Sequence, residues 1–115
     1  MKTIQSMLLV LTLILSLSAY AGAQPPATIK ILSPTDHSEI DAGESYPLSY
    51  EVALEAGSDH FHVWVDDKRG PGIHETKGAY KLPGMTPGEH TIMIKLVDKD
   101  HTPTGPKKSI KVIAK

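Results

Sequence analysis

Six histidines in a chain of 115 residues with no cysteine make imidazole nitrogen the first candidate for any chemistry here. Two of them fall in the run Asp59-His60-Phe61-His62. On an extended chain residues i and i+2 share a face, so His60 and His62 point one way and Phe61 and Val63 the other. Phe61, Val63 and Val65 read as core, which sends both imidazoles to the solvated face. Two imidazoles on one face ligate a single ion when a third or fourth ligand joins them, and copper and zinc both take nitrogen donors. The expected third ligand is His101, in the loop Asp98-Lys99-Asp100-His101, with Asp59 or Asp98 offering an oxygen. His90 begins a different strand segment and reads as a turn cap at the opposite end of the sheet. His37 and His74 fall in other loops, away from the cluster. The bland reading of the same pattern is a pair of solvated surface histidines, because H-x-H on a strand is a weaker signal than paired C-x-x-C motifs.

Other chemistries lack their residues. There is no cysteine to act as nucleophile, no G-x-S-x-G elbow, no H-E-x-x-H and no P-loop. Asp66 and Asp67 are adjacent, so on a strand they face opposite ways and share no acid–base work. The expectation is a non-enzymatic domain whose cofactor, if it takes one, is copper or zinc. A second kind of function rests on Trp64, the lone Trp, whose parity sets it outward with Met93 on a neighbouring strand; the alternative is a bulge that turns Trp64 into the core. An exposed aromatic beside a methionine suits a protein or glycan contact.

These residues have to be positioned by strands. Tyr46, Leu48, Tyr50, Val52 and Leu54 alternate with more polar neighbours, as do Phe61, Val63 and Val65, then Ile92, Ile94 and Leu96, then Ile110 and Val112. Ile29 with Ile31, and Tyr80 with Leu82, add shorter stretches. The period is two throughout, which is the pattern of half-buried strands. Ser33-Pro34-Thr35-Asp36, Glu55-Ala56-Gly57-Ser58, Asp66 through Gly72, and Pro87-Gly88 read as turns or loops between them. About seven short strands with one buried face each predict an all-β, immunoglobulin-like antiparallel sandwich. Its expected core includes Ile31, Leu48, Tyr50, Val63, Val65, Ile92, Ile94 and Val112. Pro47 is expected on an edge strand. In such a sandwich the strand ending at Leu96 runs antiparallel beside His60–Val65, which carries the His101 loop to His60.

The chain start has a different character. Lys2 precedes an apolar run from Met7 to Leu17, and small residues follow in Ala19-Tyr20-Ala21 and Ala21-Gly22-Ala23. This is the charge, apolar stretch and A-x-A pattern of a secretory signal, and its run is too short to span a bilayer. Cleavage after Ala21 or Ala23 is expected, giving residues 1–23 as signal peptide and 24–115 as one domain, secreted or periplasmic and without a membrane anchor. Removing Lys2 leaves eleven basic against thirteen acidic residues, so no basic excess points to nucleic acid. The partners to expect are a metal ion or a protein or glycan surface.

Three segments in order carry a resemblance. Asp59-His60-Phe61-His62-Val63-Trp64-Val65-Asp66 fits H-x-H-V-x-V-D, Pro87-Gly88-Glu89-His90-Thr91 fits P-G-x-H-T, and Asp98-Lys99-Asp100-His101 fits D-x-x-H. Together, over about residues 57–113, they resemble small secreted bacterial β-sandwich domains of unknown function. The resemblance implies an exported sandwich in which His60, His62, His90 and His101 are motif positions, and it supplies no ligand.

Overall fold

The computed structural model describes residues 26–115, and the expected signal peptide lies outside them. Eight strands follow one another: β1 Thr28–Ser33, β2 Ser38–Ile40, β3 Tyr46–Ala53, β4 His60–Val65, β5 Lys68–Ile73, β6 Lys77–Leu82, β7 Gly88–Val97 and β8 Pro103–Ala114. They form a three-stranded sheet in the order β1-β3-β6 and a five-stranded sheet in the order β2-β8-β7-β4-β5. The alternating apolar positions meet between the two sheets. Leu48, Tyr50 and Leu82 from one sheet pack with Phe61, Val63, Ile92, Ile94, Leu96 and Val112 from the other, all 3% exposed or less. Tyr50 meets Phe61 edge-on, with ring centroids 5.2 Å apart. Of the expected core, Ile31 and Val65 pack against this cluster only in part.

Three departures from the expected sandwich have local causes. The chain breaks at Ser33-Pro34 and passes from one sheet to the other, so β2 runs parallel to β8, and the fold is not wholly antiparallel. Pro47 lies in β3, the central strand of its sheet rather than an edge. It is tolerated because β1 pairs with β3 only from Ser49 onward, leaving Pro47 with a neighbour on the β6 side alone.

The third departure matters for the site. Most of the Asp66–Gly72 stretch, expected as a turn or loop, belongs to strand β5, Lys68–Ile73. Asp66 and Asp67 both take positive φ, 47° and 67°, which is what a two-residue turn matched to strand twist requires. That turn sends β5 back along β4, pairing Lys68 with Val65 and Ile73 with Phe61. Gly70, Pro71 and Gly72 look like a loop by composition. They are accommodated because β5 is the sheet's edge and its register shifts beside them.

Candidate metal centre

Pairing of β4 with β7 sets His60 opposite Val97, so the turn after β7 begins beside His60. Asp98 shapes that turn. Its carboxylate Oδ1 accepts from the backbone N–H of Asp100 at 2.9 Å and of Thr102 at 3.0 Å, and its carbonyl accepts the His101 N–H at 3.1 Å. Asp98 thereby forms the turn that carries His101. The turn holds His101 at φ 65°, a left-handed conformation that L-residues adopt at a cost. His101 reaches back over β4, with its ring centroid 4.9 Å from that of His60 and 5.3 Å from that of His62. The His60 and His62 centroids are 5.1 Å apart. The three expected histidines are therefore in one cluster, with one nitrogen from each inside 4.8 Å of the others.

The cluster differs from expectation in its burial. His60 and His62 do face away from the core, but they are only 3% and 4% exposed. The missed strand β5, with His74 just beyond it and His101 from the other side, covers them. Gly72 is what leaves room: a Cβ there would stand 3.1 Å from His60 Cδ2, 3.3 Å from His60 Nε2 and 3.5 Å from His62 Cε1. Strand β5 also brings in His74, which the sequence reading placed at a distance. His74 stacks on His60 at 4.8 Å, and its Nε2 lies 3.5 Å from Asp59 Oδ2.

Hydrogen bonding fixes which nitrogen each buried ring presents. A carbonyl only accepts, so the 2.9 Å contact from His62 Nδ1 to the Gly70 oxygen requires the proton on Nδ1. The lone pair is then on Nε2, which is buried and has no hydrogen-bond partner. Burial, reinforced by neighbouring His60, Arg69 and His101 and opposed by the Gly70 bond, holds His62 below the ordinary imidazole pKa, so it stays neutral. His60 donates from Nδ1 to Asp59 Oδ2 at 2.9 Å, leaving its own lone pair on Nε2. That bond keeps the Asp59 carboxyl below the usual carboxylate range. A ring N–H held by a carboxylate or carbonyl is the arrangement that orients metal-binding histidines. Zinc–nitrogen bonds of 2.0–2.1 Å put ligating nitrogens about 3.3 Å apart. The rings must therefore draw together by at most about 1.5 Å, and exposed His101 is the ring with room to move.

The remaining histidines are elsewhere. His37 is exposed beside β8, its N–H bonded to the Lys111 carbonyl, at the end of the sheet away from His101. His90 is at that far end too. Its Nε2 donates to the Thr86 carbonyl at 2.6 Å and its Nδ1 bonds the Asp66 carboxylate. With acceptors on both sides both nitrogens carry protons, and the Asp66 and Thr86 bonds raise the His90 pKa. Asp66 is lowered: partial burial opposes ionisation, but bonds from His90 and the Thr91 N–H outweigh it. A 450 Å³ cleft bordered by Val65, Tyr80, Met85 and His90 opens there and includes none of the three clustered histidines.

The His90–Asp66 pair carries a pH signature. Since the folded pKa of His90 is raised, its contribution is full below the unfolded value of about 6.5 and is lost as pH rises through the folded value. The lowered Asp66 contributes above about 3.9, and that part is lost as pH falls through its folded pKa. The pair thus stabilises most between these limits. Denaturant melts across pH 6 to 9 should show wild type losing stability relative to His90→Gln; parallel curves would exclude the charged pair.

Of the two placements open to Trp64 the outward one holds: it is opposite Met93 on the outer face and half-buried. Lys95 Nζ sits 4.5 Å over its ring, and the Trp64 indole N–H is buried without a partner.

Residues 48–114 match a single family, described only as of unknown function. The chain belongs to the DUF6130 family. The match starts in β3 and takes in β4 to β7 and all but the end of the chain, so the histidine cluster falls within it. No curated protein matches. Among solved structures, the fibronectin(III)-like modules of CbhA from Clostridium thermocellum are similar at 20% identity and a TM-score of 0.59, over 76% of this chain and 97% of that one. The extracellular domain of a one-component system from B. thetaiotaomicron is similar at 13% identity and a TM-score of 0.48, over 84% of this chain and 16% of that one. The likeness to CbhA shows the fold: this DUF6130 chain is a fibronectin III-like, all-β domain.

Proposed function

We propose that this protein is an exported, non-enzymatic fibronectin-like domain that holds one copper or zinc ion through His60, His62 and His101. The observation that carries this reading is His62 Nε2: a lone pair, buried, with no hydrogen-bond partner, on a ring whose other nitrogen is held by Gly70. A buried polar atom left unpaired costs about 1–3 kcal/mol, and an ion at that position removes the penalty. Gly72, which spares the space beside both buried rings, supports the same reading. Three imidazole nitrogens suit copper and zinc and leave a further coordination position open to water or an outside ligand. Export rests on the charged, apolar and small-residue run of the chain start, with cleavage after Ala21 or Ala23.

The test is a thermal melt of tag-free protein with and without Zn²⁺ or Cu²⁺. An ion that binds only the folded state, at 100 times its Kd, adds about 2.7 kcal/mol. His60→Ala with His62→Ala should abolish the increment and His37→Ala should keep it. An unshifted wild-type melt would turn attention to the Trp64 and Met93 face as a contact for protein or glycan.

A further inference from the structure

His60 belongs to two sets of potential ligands. Besides the inner set with His62 and His101, its nitrogen lies within 4.8 Å of ligand atoms of Asp59 and His74. The two sets differ in access. His74 is 70% exposed and the Asp59 side chain 32%, whereas His62 is closed off from solvent. We propose that Asp59, His60 and His74 form a second, outward-facing transition-metal site that shares His60 with the inner triad, so that one ion occupies one set or the other. This rests on the inner triad being a metal site.

The exclusion follows from imidazole chemistry. A neutral imidazole has one donor nitrogen and one acceptor nitrogen. While His60 gives its Nδ1 proton to Asp59 Oδ2, its lone pair is on Nε2, at the edge facing Gly72 and His62. To serve the outer set, the proton moves to Nε2 and Nδ1 becomes the ligand, beside the carboxylate oxygen now 2.9 Å away. Asp59 then changes from hydrogen-bond acceptor to ligand, and His74, already 3.5 Å from the same oxygen, completes a set of one oxygen and two nitrogens. Such a mixed set with an open position accepts zinc or Cu²⁺. The exposed set meets the ion first; the buried set, with its unpaired Nε2, retains it.

Calorimetric titration of tag-free protein with Zn²⁺ separates the sites, using variants at exposed positions. Wild type should bind one ion per chain. His74→Ala should keep the tight phase. His101→Gly should bind one ion roughly tenfold or more weakly, and the double variant His74→Ala with His101→Gly should lose that residual binding. The proposal is overturned if His101→Gly binds no better than the double variant, if wild type takes two ions at once, or if His74→Ala itself weakens the tight phase tenfold, which would make His74 a ligand of the inner ion. Absence of binding by wild type overturns the inner site as well, so the two readings fail in distinguishable ways.

Discussion

Replacing Ile94 by Ala is expected to lower the unfolding free energy by about 2–5 kcal/mol, the range for deleting a large aliphatic side chain from a packed core. Ile94 has no exposed surface and lies opposite Val63 on the inner face of the five-stranded sheet. Its neighbours on that face, Ile92 and Leu96, are equally closed off and held in their own strand, so the space left by the missing carbons cannot readily collapse. A domain of this size shifts its melting temperature by about 4–8 °C per kcal/mol, which makes the effect large in any melt. Ile94→Val, removing one methyl group, should cost only about 0.5–1.5 kcal/mol. Denaturant unfolding of both variants checks this; a loss under 1 kcal/mol for the Ala variant would mean that Ile94 is not where the two sheets are joined.

His101→Gly should separate stability from ligation. The left-handed backbone of His101 costs an L-residue roughly 1–2 kcal/mol. Glycine takes that conformation freely, although its own greater chain entropy when unfolded offsets about 0.5–1 kcal/mol. The metal-free variant is thus expected at wild-type stability or up to about 1.5 kcal/mol above it. With Zn²⁺ in 100-fold excess over the wild-type Kd, the same variant should forfeit about half or more of the roughly 2.7 kcal/mol that wild type gains. His101→Ala keeps the backbone strain and loses the ring, so it should lose the metal increment without the relief. Melts of the three proteins with and without Zn²⁺ decide it. If glycine lowered the stability of the metal-free protein by more than 1 kcal/mol, the ring would be a packing element, and its strained backbone would no longer count as held for ligation.

The strands beside the cluster were legible because their apolar residues alternate without interruption. Phe61, Val63 and Val65 and then Ile92, Ile94 and Leu96 each have only one register that buries one full face, and a slip by one residue would expose it. From that register, the closeness of His101 to His60 follows by topology. Strand β5 was not legible, since Gly70, Pro71 and Gly72 carry no apolar alternation and are strand only because β4 offers them an edge to pair with. Everything that depends on β5 was therefore hidden: the burial of His60 and His62, the arrival of His74 and the room left by Gly72. Pro47 misled in the opposite sense, because whether a central strand has a neighbour at one given residue depends on where β1 stops.

An all-β domain, the face on which His60 and His62 lie, and the loop that brings a third imidazole to them can be read along the chain. These are consequences of period two and of residue order, which any extended chain with these apolar positions must obey. Packing of the strands is what closes those imidazoles off from water, sets Gly70 and Asp59 against their Nδ1 protons, and leaves a lone pair on His62 without a partner. Burial and tautomer depend on what other segments cover a side chain, and that covering comes from a strand whose own residues contain no local reason to be one.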